Sequence, residues 1–548
     1  MKRISFILTA FLCCGMLLQG KPAKNLILMI PDGTSLAALS SARWYQRYNH
    51  PEQTRLNIDP YLCGTVLTFS SNAPIGDSAP TTSCYMTGYP SRAGWVATYP
   101  TADVKNDILP TDTSKAYQPL MTVMEAARIT QNKALGLVFT CEFPHATPAD
   151  CVSHSYSRSK YQWIAPQMVH NGVDVLIGGG SQYLSDADKK YLQAEGYDIV
   201  INDIAAMKQS SNRKLWALFA EKDMSYDIDR NADEEPSLAE MTQKAIETLS
   251  QADNGFVLMV EGSKIDWAAH ANDAAAIISD MLAFDKACGV AFDFAEKDGE
   301  TLVIVVPDHG NSGLSIGSSK CSNYSTLTKD ELFGQISKYK TSAEGLIKHL
   351  KTTAPDDLKA VVADLTGIAL SNKEYQQLLQ CRDYQRSALT DDERMKGSDM
   401  TKVVSGILDA HTCFGFTTGG HTGEEVFLAV LDPDKERRMT GHHNNVELNT
   451  YMRQALELPE SLESLTAQYF AKHSDVFSGE KYVIQADKAD STVMVLTVKH
   501  KKKTLEIRPN TNIVRLNGKD IKLNSVVVYV DRKKTFYLPQ SLLALLHS

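Results

Sequence analysis

Two residues with metal-binding side chains lie four positions apart in one stretch of the sequence. Asp266 and His270 fit one face of a helix, about one turn from each other. This spacing lets a single metal ion take a carboxylate oxygen and an imidazole nitrogen from one helix, as zinc does at about 2.0–2.2 Å. An isolated pair of this kind is more often a hydrogen bond on a helix surface, so the metal interpretation depends on further ligands elsewhere.

Further metal-binding residues stand at the ends of short apolar runs. Asp32, Glu261 and the neighbours Asp308 and His309 follow three of these runs, and His421 precedes another. In an open α/β sheet, ligands bind beyond the carboxyl ends of the strands, so this shared placement favours one metal centre over separate caps and turn residues. The apolar runs are typical of parallel strands buried on both faces, and they are residues 26–30, 135–139, 173–177, 256–260, 302–306 and 426–431.

Ser78, in the segment Gly-Asp-Ser-Ala-Pro, is a candidate nucleophile. A serine entering a helix near its N-terminus directs its hydroxyl toward backbone N–H groups, where an anion is stabilised. No Gly-x-Ser-x-Gly turn surrounds Ser78, so activation by a metal is the natural partner hypothesis. Taken without the other residues, the segment is better explained as a helix cap.

Helical patterns separate the apolar runs. One is the capping box from Ser237 to Glu240, which opens a segment reaching about Leu249. Alternating strands and helices predict a three-layer α/β sandwich around a mostly parallel central sheet.

The composition of the 548-residue chain changes along its length and predicts its organisation. Polar, Lys-, Ser- and Asp-rich segments with helical periodicity indicate an insertion within the catalytic part. After residue 477, period-two segments and a hairpin signal at Asn517-Gly518 predict a small β module. The predicted parts are a signal peptide (1–21), a catalytic domain (22–476) with a helical insertion (about 311–414), and the β module (477–548).

The N-terminus combines Lys2 and Arg3 with an apolar run over residues 4–18, which is typical of a secretory signal. The run is too short to span a bilayer comfortably, and no later segment is apolar enough to do so. We therefore expect export to the periplasm, the cell surface or the medium. Lipid attachment at Cys13 or Cys14 is an alternative that the flanking residues disfavour.

A formal charge of −9 argues against nonspecific nucleic-acid binding. Ten cysteines, less Cys13 and Cys14 of the signal, leave eight that export would allow to form disulfides. Two pairings are near in sequence, 141 with 151 and 63 with 84, and buried free thiols are the alternative.

Seven short motifs stand in order along the chain. They are Pro31-Asp32-Gly33, Asp77-Ser78-Ala79, His145-Ala146-Thr147-Pro148, Ser157-Arg158, Glu261-Gly262-x-x-Ile265-Asp266-x-x-x-His270, Asp308-His309 and Gly420-His421-Thr422-Gly423. In this order they resemble the motifs of the alkaline phosphatase family. The resemblance covers about residues 25–475, apart from the insertion.

The resemblance implies an alkaline phosphatase with two zinc ions and a third metal, usually magnesium. Each implied metal site takes its ligands from these motifs: Asp266, His270 and His421 for the first zinc; Asp32, Asp308 and His309 for the second; Asp32, Thr147 and Glu261 for the third. Oxygen ligands suit magnesium, whereas imidazoles suit zinc.

The implied reaction is hydrolysis of a phosphate monoester through a phosphoserine on Ser78. Two metals about 4 Å apart can stabilise the entering and leaving oxygens of an in-line displacement. Arg158 is the implied phosphate ligand, because its planar fork can bind two phosphoryl oxygens. The implied partners are small phosphate monoesters, and a homodimer is common in the family.

Two positions depart from the best-known bacterial pattern, which has an aspartate and a lysine where this chain has His145 and Trp267. Both are candidate substrate-binding residues. Trp267 cannot supply the positive charge of a lysine, and His145 could favour zinc at the third site, so magnesium is the least secure of the implied cofactors.

The alternative is a phosphodiesterase or a sulfatase of the same superfamily. Sulfatases of this architecture need an arginine two residues after the proline of a Cys/Ser-x-Pro-x-Arg motif, and Thr82 stands there instead. A binding protein with a degenerate metal core would have lost ligands, and here every implied ligand position is filled.

Overall fold

The computed structural model of the protein describes residues 20–321, 323–386 and 400–548. Cys13, Cys14 and all of the predicted signal except residues 20–21 lie outside the described residues, so export stays a prediction. Within the described ranges, no helix has both the length and the apolar character needed to cross a membrane.

All the strands described before residue 310 belong to one large sheet. They are β1 (Asn25–Pro31), β2 (Leu62–Leu67), β3 (Ala134–Glu142), β4 (Val175–Gly179), β5 (Asp198–Ile201), β6 (Leu215–Leu218), β7 (Phe256–Gly262) and β8 (Thr301–Val305). The later strands are β9 (Gly310–Asn311), β10 (Ser315–Ile316), β11 (Phe414–Gly415), β12 (His421–Thr422), β13 (Val426–Leu431), β14 (Gly441–Asn444), β15 (Ala471–Lys472), β16 (Lys481–Ala486), β17 (Met494–His500), β18 (Lys503–Ile507), β19 (Ile513–Leu516), β20 (Lys519–Lys522), β21 (Val528–Val530) and β22 (Thr535–Leu538).

The central sheet has ten strands in the order β14-β2-β13-β8-β1-β7-β3-β4-β6-β5. Neighbouring strands from β8 through to β5 are all parallel. The prediction of a mostly parallel sheet is therefore confirmed.

One predicted parallel strand, residues 426–431, is antiparallel to both of its neighbours, so that part of the prediction is wrong. The reason lies in the preceding connection. β12 pairs with β9, which lies just beyond the carboxyl end of β8, so the chain enters β13 from that edge and runs back along β8.

Both faces of the sheet are covered. Along β1, Ile27 and Met29 are buried in one hydrophobic core, whereas Leu26, Leu28 and Ile30 are buried in the other. Because successive side chains of a strand point to opposite faces, this alternation places an apolar layer on each side. The three-layer sandwich is thus confirmed.

The helices cover the two faces and the ends of the sheet. The predicted capping box is confirmed: Ser237 accepts a hydrogen bond from the backbone N–H of Glu240 and caps Leu238–Leu249. The α-helices are Leu36–Asn49, Ser78–Thr87, Val123–Gln131, Ala146–Val152, Tyr161–His170, Asp186–Ala194, Ile204–Gln209, Leu238–Leu249, Lys264–His270, Ala274–Asp298, Lys329–Phe333, Ala343–Thr352, Leu358–Thr366, Asn372–Arg386, Met400–Ala410, Asn445–Ala455, Glu463–Tyr469, His473–Val476 and Ser541–His547.

The segment predicted as a helical insertion leaves and re-enters the rest of the fold at one place. β10 pairs with β11 there, and the disulfide Cys321–Cys413 joins the same two chain ends across a sequence separation of 92. Neither cysteine pair considered from the sequence forms. The four cysteines of those pairs are free thiols. Cys84, Cys141 and Cys151 are buried, and Cys63 is half-buried.

The C-terminal strands form a five-stranded antiparallel sheet in the order β16-β17-β18-β19-β20. The Asn517-Gly518 turn is confirmed, with φ values of 51° and 81° that suit a tight hairpin. It joins β19 to β20, a four-residue strand in which Ile521 is the one apolar residue, so the sequence carries no apolar pattern there. The division into a catalytic domain and a separate module at residue 477 stays a prediction.

Candidate metal centre and nucleophile

Three acidic residues lie together at the carboxyl ends of adjacent parallel strands. Asp32 directly follows β1, Glu261 is the next-to-last residue of β7, and Asp308 follows β8. Since β8, β1 and β7 are neighbours in the sheet, the chain brings these carboxylates to one point. All three side chains are fully buried.

Several buried polar atoms at this point have no hydrogen-bond partner among the described residues. They are Asp32 Oδ2, Asp308 Oδ2, Glu261 Oε1, Thr147 Oγ1 and His145 Nδ1. Leaving a carboxylate oxygen buried and unpaired costs several kcal/mol, and proteins avoid it by pairing the charge or binding a metal. The carboxylate and hydroxyl oxygens of this set fit cations.

The carboxylates also raise one another's pKa. Burial, and then the nearby charge of Asp308, raise the pKa of Asp32 well above its usual range. Burial likewise raises the pKa of Glu261. A bound cation would reverse this preference and favour the ionised carboxylates.

Three histidines are oriented by backbone carbonyl groups. Nδ1 of His270 lies 2.9 Å from the carbonyl oxygen of Gly419, and Nδ1 of His421 lies 2.9 Å from that of Gly76. His309 makes the same contact within its own segment, 3.0 Å from the carbonyl of the next residue. A carbonyl oxygen can only accept, so each Nδ1 carries the proton and each Nε2 presents a lone pair to the site.

Two of these lone pairs face each other. Nε2 of His270 lies 3.1 Å from Nε2 of His421, an arrangement that is unfavourable for two neutral rings in this tautomer. Asp266 lies beside them, with its Oδ2 3.4 Å from His270 Nε2 and its Oδ1 3.8 Å from His421 Nε2. A shared cation is the simplest group that satisfies all three side chains.

The ligand atoms form three groups in which each atom lies within 4.8 Å of the others. The groups are Asp32 with Asp308 and His309, Asp266 with His309 and His421, and Cys141 with His145 and Glu261. His309 belongs to two of them, so two ions could be held side by side. The structure thus gathers the predicted metal ligands other than Thr147 at one edge of the sheet, and the individual assignments stay predictions.

His421 lies in the short strand β12, ahead of β13, whereas Asp32, Asp308 and His309 follow strands of the central sheet. Pairing of β12 with β9 places His421 opposite Asn311, three residues after Asp308. The antiparallel direction of β13 therefore brings the residue before a strand to the same edge as the residues after β1, β7 and β8.

Ser78 is the first residue of the helix Ser78–Thr87 and is only 2% exposed. Its Oγ lies 3.4 Å from Nε2 of His309 and 3.5 Å from Oδ1 of Asp32. The cap position belongs to Asp77, whose side chain makes no capping hydrogen bond. Neither residue therefore serves as a side-chain cap, and Ser78 faces the buried carboxylates and imidazoles.

Asp77 instead holds Arg158. Nη1 of Arg158 donates to Oδ1 of Asp77 at 2.7 Å, and the other oxygen of Asp77 accepts from the backbone N–H of Gly94 at 2.8 Å. Burial by itself would raise the pKa of Asp77, but the nearby charges, first that of Arg158, together with the Gly94 N–H outweigh burial and lower that pKa. Nη2 of Arg158 donates to Nε2 of His145 at 2.8 Å, so His145 fixes the second arm of the guanidinium.

Trp267 packs against His145, with ring centroids 5.7 Å apart and an edge-on angle of 76°. A buried lysine lies on the other side of this indole: Nζ of Lys264 is 4.4 Å from the Trp267 ring centroid. Lys264 forms an ion pair with Asp223 at 2.5 Å. Trp267 therefore supports the side chain that orients Arg158 and adds no charge of its own.

Three residues with no role predicted from the sequence also lie at the site. Asn311 donates from Nδ2 to Oδ1 of Asp266 at 2.7 Å, and the thiol of Cys141 donates to Oε2 of Glu261 at 3.4 Å. Asp77, which orients Arg158, is the third. Asp77 lies within one of the seven motifs, Asn311 lies two residues after another, and Cys141 follows a predicted strand, but only the fold shows their contacts.

This arrangement, on a three-layer α/β sandwich, defines the class as metal-dependent hydrolases. The family model for alkaline phosphatase matches residues 23–458. Alkaline phosphatase 3 of Bacillus subtilis is 32% identical over 455 residues, which cover 79% of this chain and 89% of that protein. The chain belongs to the alkaline phosphatase family, whose members are metal-dependent hydrolases of phosphate monoesters.

Solved structures agree with this family assignment. The cold-active alkaline phosphatase of a psychrophilic Shewanella species is 29% identical, with a TM-score of 0.67, and the match covers 79% of this chain and 99% of that one. The alkaline phosphatase of Thermus thermophilus is 25% identical, with a TM-score of 0.68 and coverage of 82% and 98%.

Removal of metal should destabilise the protein, because it leaves buried carboxylates and facing imidazoles without a counter-ion. We expect stripping with EDTA to lower the unfolding temperature by roughly 5 °C or more, and excess zinc to restore it. Differential scanning calorimetry, with EDTA already saturated with zinc as the control, measures this change. An unchanged unfolding temperature in protein shown to be free of metal would contradict the metal centre.

Proposed function

We propose that this chain is an exported alkaline phosphatase that hydrolyses phosphate monoesters through a phosphoserine on Ser78, with two zinc ions and a third metal, magnesium. The observation that carries the proposal is the position of Ser78 Oγ, 3.4 Å from Nε2 of His309 and 3.5 Å from Oδ1 of Asp32. Each of these two atoms belongs to a group of ligands that fits a cation.

The ligands divide among the proposed metals by chemistry and position. The proposed sets are Asp266, His270 and His421 for one zinc, Asp32, Asp308 and His309 for the other, and Asp32, Thr147 and Glu261 for the magnesium. When bound, such ions neutralise a phosphoryl dianion and stabilise the charges that develop on the entering and leaving oxygens. Cys141 and His145 each offer a ligand atom within 4.8 Å of that of Glu261, so the oxygen character of the third site is the least strict.

Ser78 is placed to act as the nucleophile. In its resting state the hydroxyl proton faces two acceptors, and the oxygen lies at the positive end of the helix Ser78–Thr87. In the proposed reaction, Ser78 Oγ gives up its proton and bonds to phosphorus as the bond from phosphorus to the substrate's oxygen breaks, and that oxygen takes up a proton and leaves as the alcohol. The oxygen of a water molecule then bonds to phosphorus, the bond from phosphorus to Oγ breaks, a proton from the water restores the Ser78 hydroxyl, and inorganic phosphate is released.

Arg158 is placed to bind the phosphoryl oxygens. Its guanidinium uses one N–H toward Asp77 and one toward His145, which leaves other N–H groups of the planar fork for an anion. The side chain is 27% exposed, so a substrate can reach it. Trp267, packed on His145, contributes to the proposed substrate site by supporting this arrangement.

Export is proposed on two grounds. The charged N-terminus followed by an apolar run is typical of a secretory signal. The second ground is the Cys321–Cys413 disulfide, because disulfides persist in oxidising compartments outside the cytosol.

The choice of substrate class can be tested with three nitrophenol esters. We expect p-nitrophenyl phosphate to be cleaved much faster than the bis ester or the sulfate, because the guanidinium of Arg158 and the proposed cations suit a dianion. EDTA should abolish the reaction. Faster cleavage of the diester or the sulfate would favour the phosphodiesterase or sulfatase alternative.

Replacing the nucleophile should stop covalent catalysis without emptying the metal centre. We expect Ser78→Ala to form no phosphoenzyme with ³²P-labelled phosphate and to retain its metal content. Ser185→Ala is a suitable control, because Ser185 caps the helix Asp186–Ala194 and lies outside the site. Wild-type turnover by the Ser78 variant would exclude the phosphoserine route.

Removing the phosphate ligand should weaken phosphate binding. We expect Arg158→Ala to raise the inhibition constant of inorganic phosphate roughly ten- to 150-fold, corresponding to about 1.5–3 kcal/mol for a charged hydrogen bond. Arg158→Lys, which keeps the charge and loses the fork, should have an intermediate effect. An inhibition constant equal to that of the wild type in Arg158→Ala would rule out this role.

A further inference from the structure

The C-terminal strands and helix carry another cluster of metal-binding side chains. Glu480, His500 and His547 each offer one ligand atom, and these atoms lie within 4.8 Å of one another. The cluster lies beyond residues 23–458, the part of the chain matched by the alkaline phosphatase family model. It shares no residue with the candidate catalytic centre.

Three separate elements bring these residues together. Glu480 immediately precedes β16, and His500 is the last residue of β17. Antiparallel pairing of Lys481 with Lys499 places Glu480 and His500 across from each other at one end of the five-stranded sheet. His547 is the last residue of the helix Ser541–His547.

The C-terminal helix is held over this sheet by apolar packing. Leu542 and Leu546 of the helix are fully buried in the same core as Leu496 and Leu505 of the sheet. Because Leu546 is anchored, the next residue, His547, is brought to the end of the sheet where Glu480 lies. The cluster therefore links the end of the chain to the first two strands of the sheet.

The contacts within the cluster are short and converge on one carboxylate. Nδ1 of His500 lies 3.0 Å from both oxygens of Glu480, and Nε2 of His547 lies 2.8 Å from Oε1 of Glu480. The two imidazole rings lie side by side, with centroids 4.2 Å apart. Hydrogen bonds from His547 and then His500 lower the pKa of Glu480, so its carboxylate is ionised at neutral pH.

The cluster is covered on the Glu480 side and open to solvent on the His547 side. The side chain of Glu480 is 11% exposed and that of His500 is 23% exposed, while His547 at the outer edge is 44% exposed. An ion can therefore enter from the His547 side and keep a water molecule as a further ligand.

Two imidazoles and a carboxylate form a ligand set that suits zinc. In a tetrahedral site with bonds of about 2.1 Å, ligand atoms lie about 3.4 Å apart, so opening the present contacts by a few tenths of an ångström makes room for the ion. To bind the ion, the imidazole nitrogens that now face Glu480 would have to present lone pairs, which a neutral ring does by changing its tautomer.

We propose that Glu480, His500 and His547 form a structural zinc site that fastens the C-terminal helix Ser541–His547 to the end of the five-stranded sheet. The alternative is a cluster held by hydrogen bonds alone. The two differ in whether the full chain binds one more zinc ion than its catalytic centre accounts for.

Zinc counting on the full-length protein tests the proposal. Metal-stripped wild type and the double variant His500→Ala/His547→Ala are dialysed against micromolar buffered free zinc, and the bound metal is measured by mass spectrometry. We expect the double variant to bind one zinc fewer per chain and to keep its p-nitrophenyl phosphate turnover. His50→Ala is the matched control, because His50 is exposed, lies 3.7 Å from Glu52 and belongs to no group of three metal-binding side chains within the described ranges; its zinc content should equal that of the wild type.

A second measurement separates a zinc site from a stabilising hydrogen-bond cluster. We expect zinc to slow amide hydrogen exchange across residues 541–547 in the wild type at least tenfold more than in the double variant. Glu480→Gln, which keeps the size and shape of the side chain, serves as the variant if the double substitution does not fold. Equal zinc content in the wild type and a folded variant would overturn the site, whether or not the phosphatase assignment holds.

Discussion

Mutual repulsion of buried carboxylates at the ends of β1, β7 and β8 is the constraint on which the rest of the site depends. Asp32, Glu261 and Asp308 are fully buried, and each leaves an oxygen without a partner among the described residues. Such a concentration of negative charge is stable only with cations, so the surrounding side chains are arranged to receive them. The backbone carbonyls that fix the Nδ1 proton of each histidine leave Nε2 free for this purpose.

Arg158 supplies positive charge at the site, and its neighbours hold its guanidinium in position. Arg158 is held by Asp77 on one side and by His145 on the other, and Trp267 packs behind His145. The nearby Lys264 directs its charge to Asp223, away from this group. A guanidinium held in this way can meet a phosphoryl group without reorganising, which favours binding of a transferred phosphate.

Much of the fold could be predicted because apolar runs and motifs are local signals. Uninterrupted apolar runs coincide with the strands β1, β3, β7 and β8, because a strand that is buried on both faces has few polar positions. Strands at the edges were missed for the opposite reason: β14 and β20 are short and exposed, so nothing in their composition marks them. The antiparallel direction of β13 was mispredicted, because direction depends on which edge the chain enters.

The sequence by itself determined the family and predicted the ligand residues, because each short motif keeps its ligand types at a fixed spacing. The partnerships among distant residues were decided only by the tertiary structure. Asp77 meets Arg158 across 81 positions, Cys321 bonds to Cys413, and Glu480 meets His547 across 67 positions. Such pairs have no local signature, because the contact arises from how strands and helices pack, and a residue's neighbours along the chain do not report it.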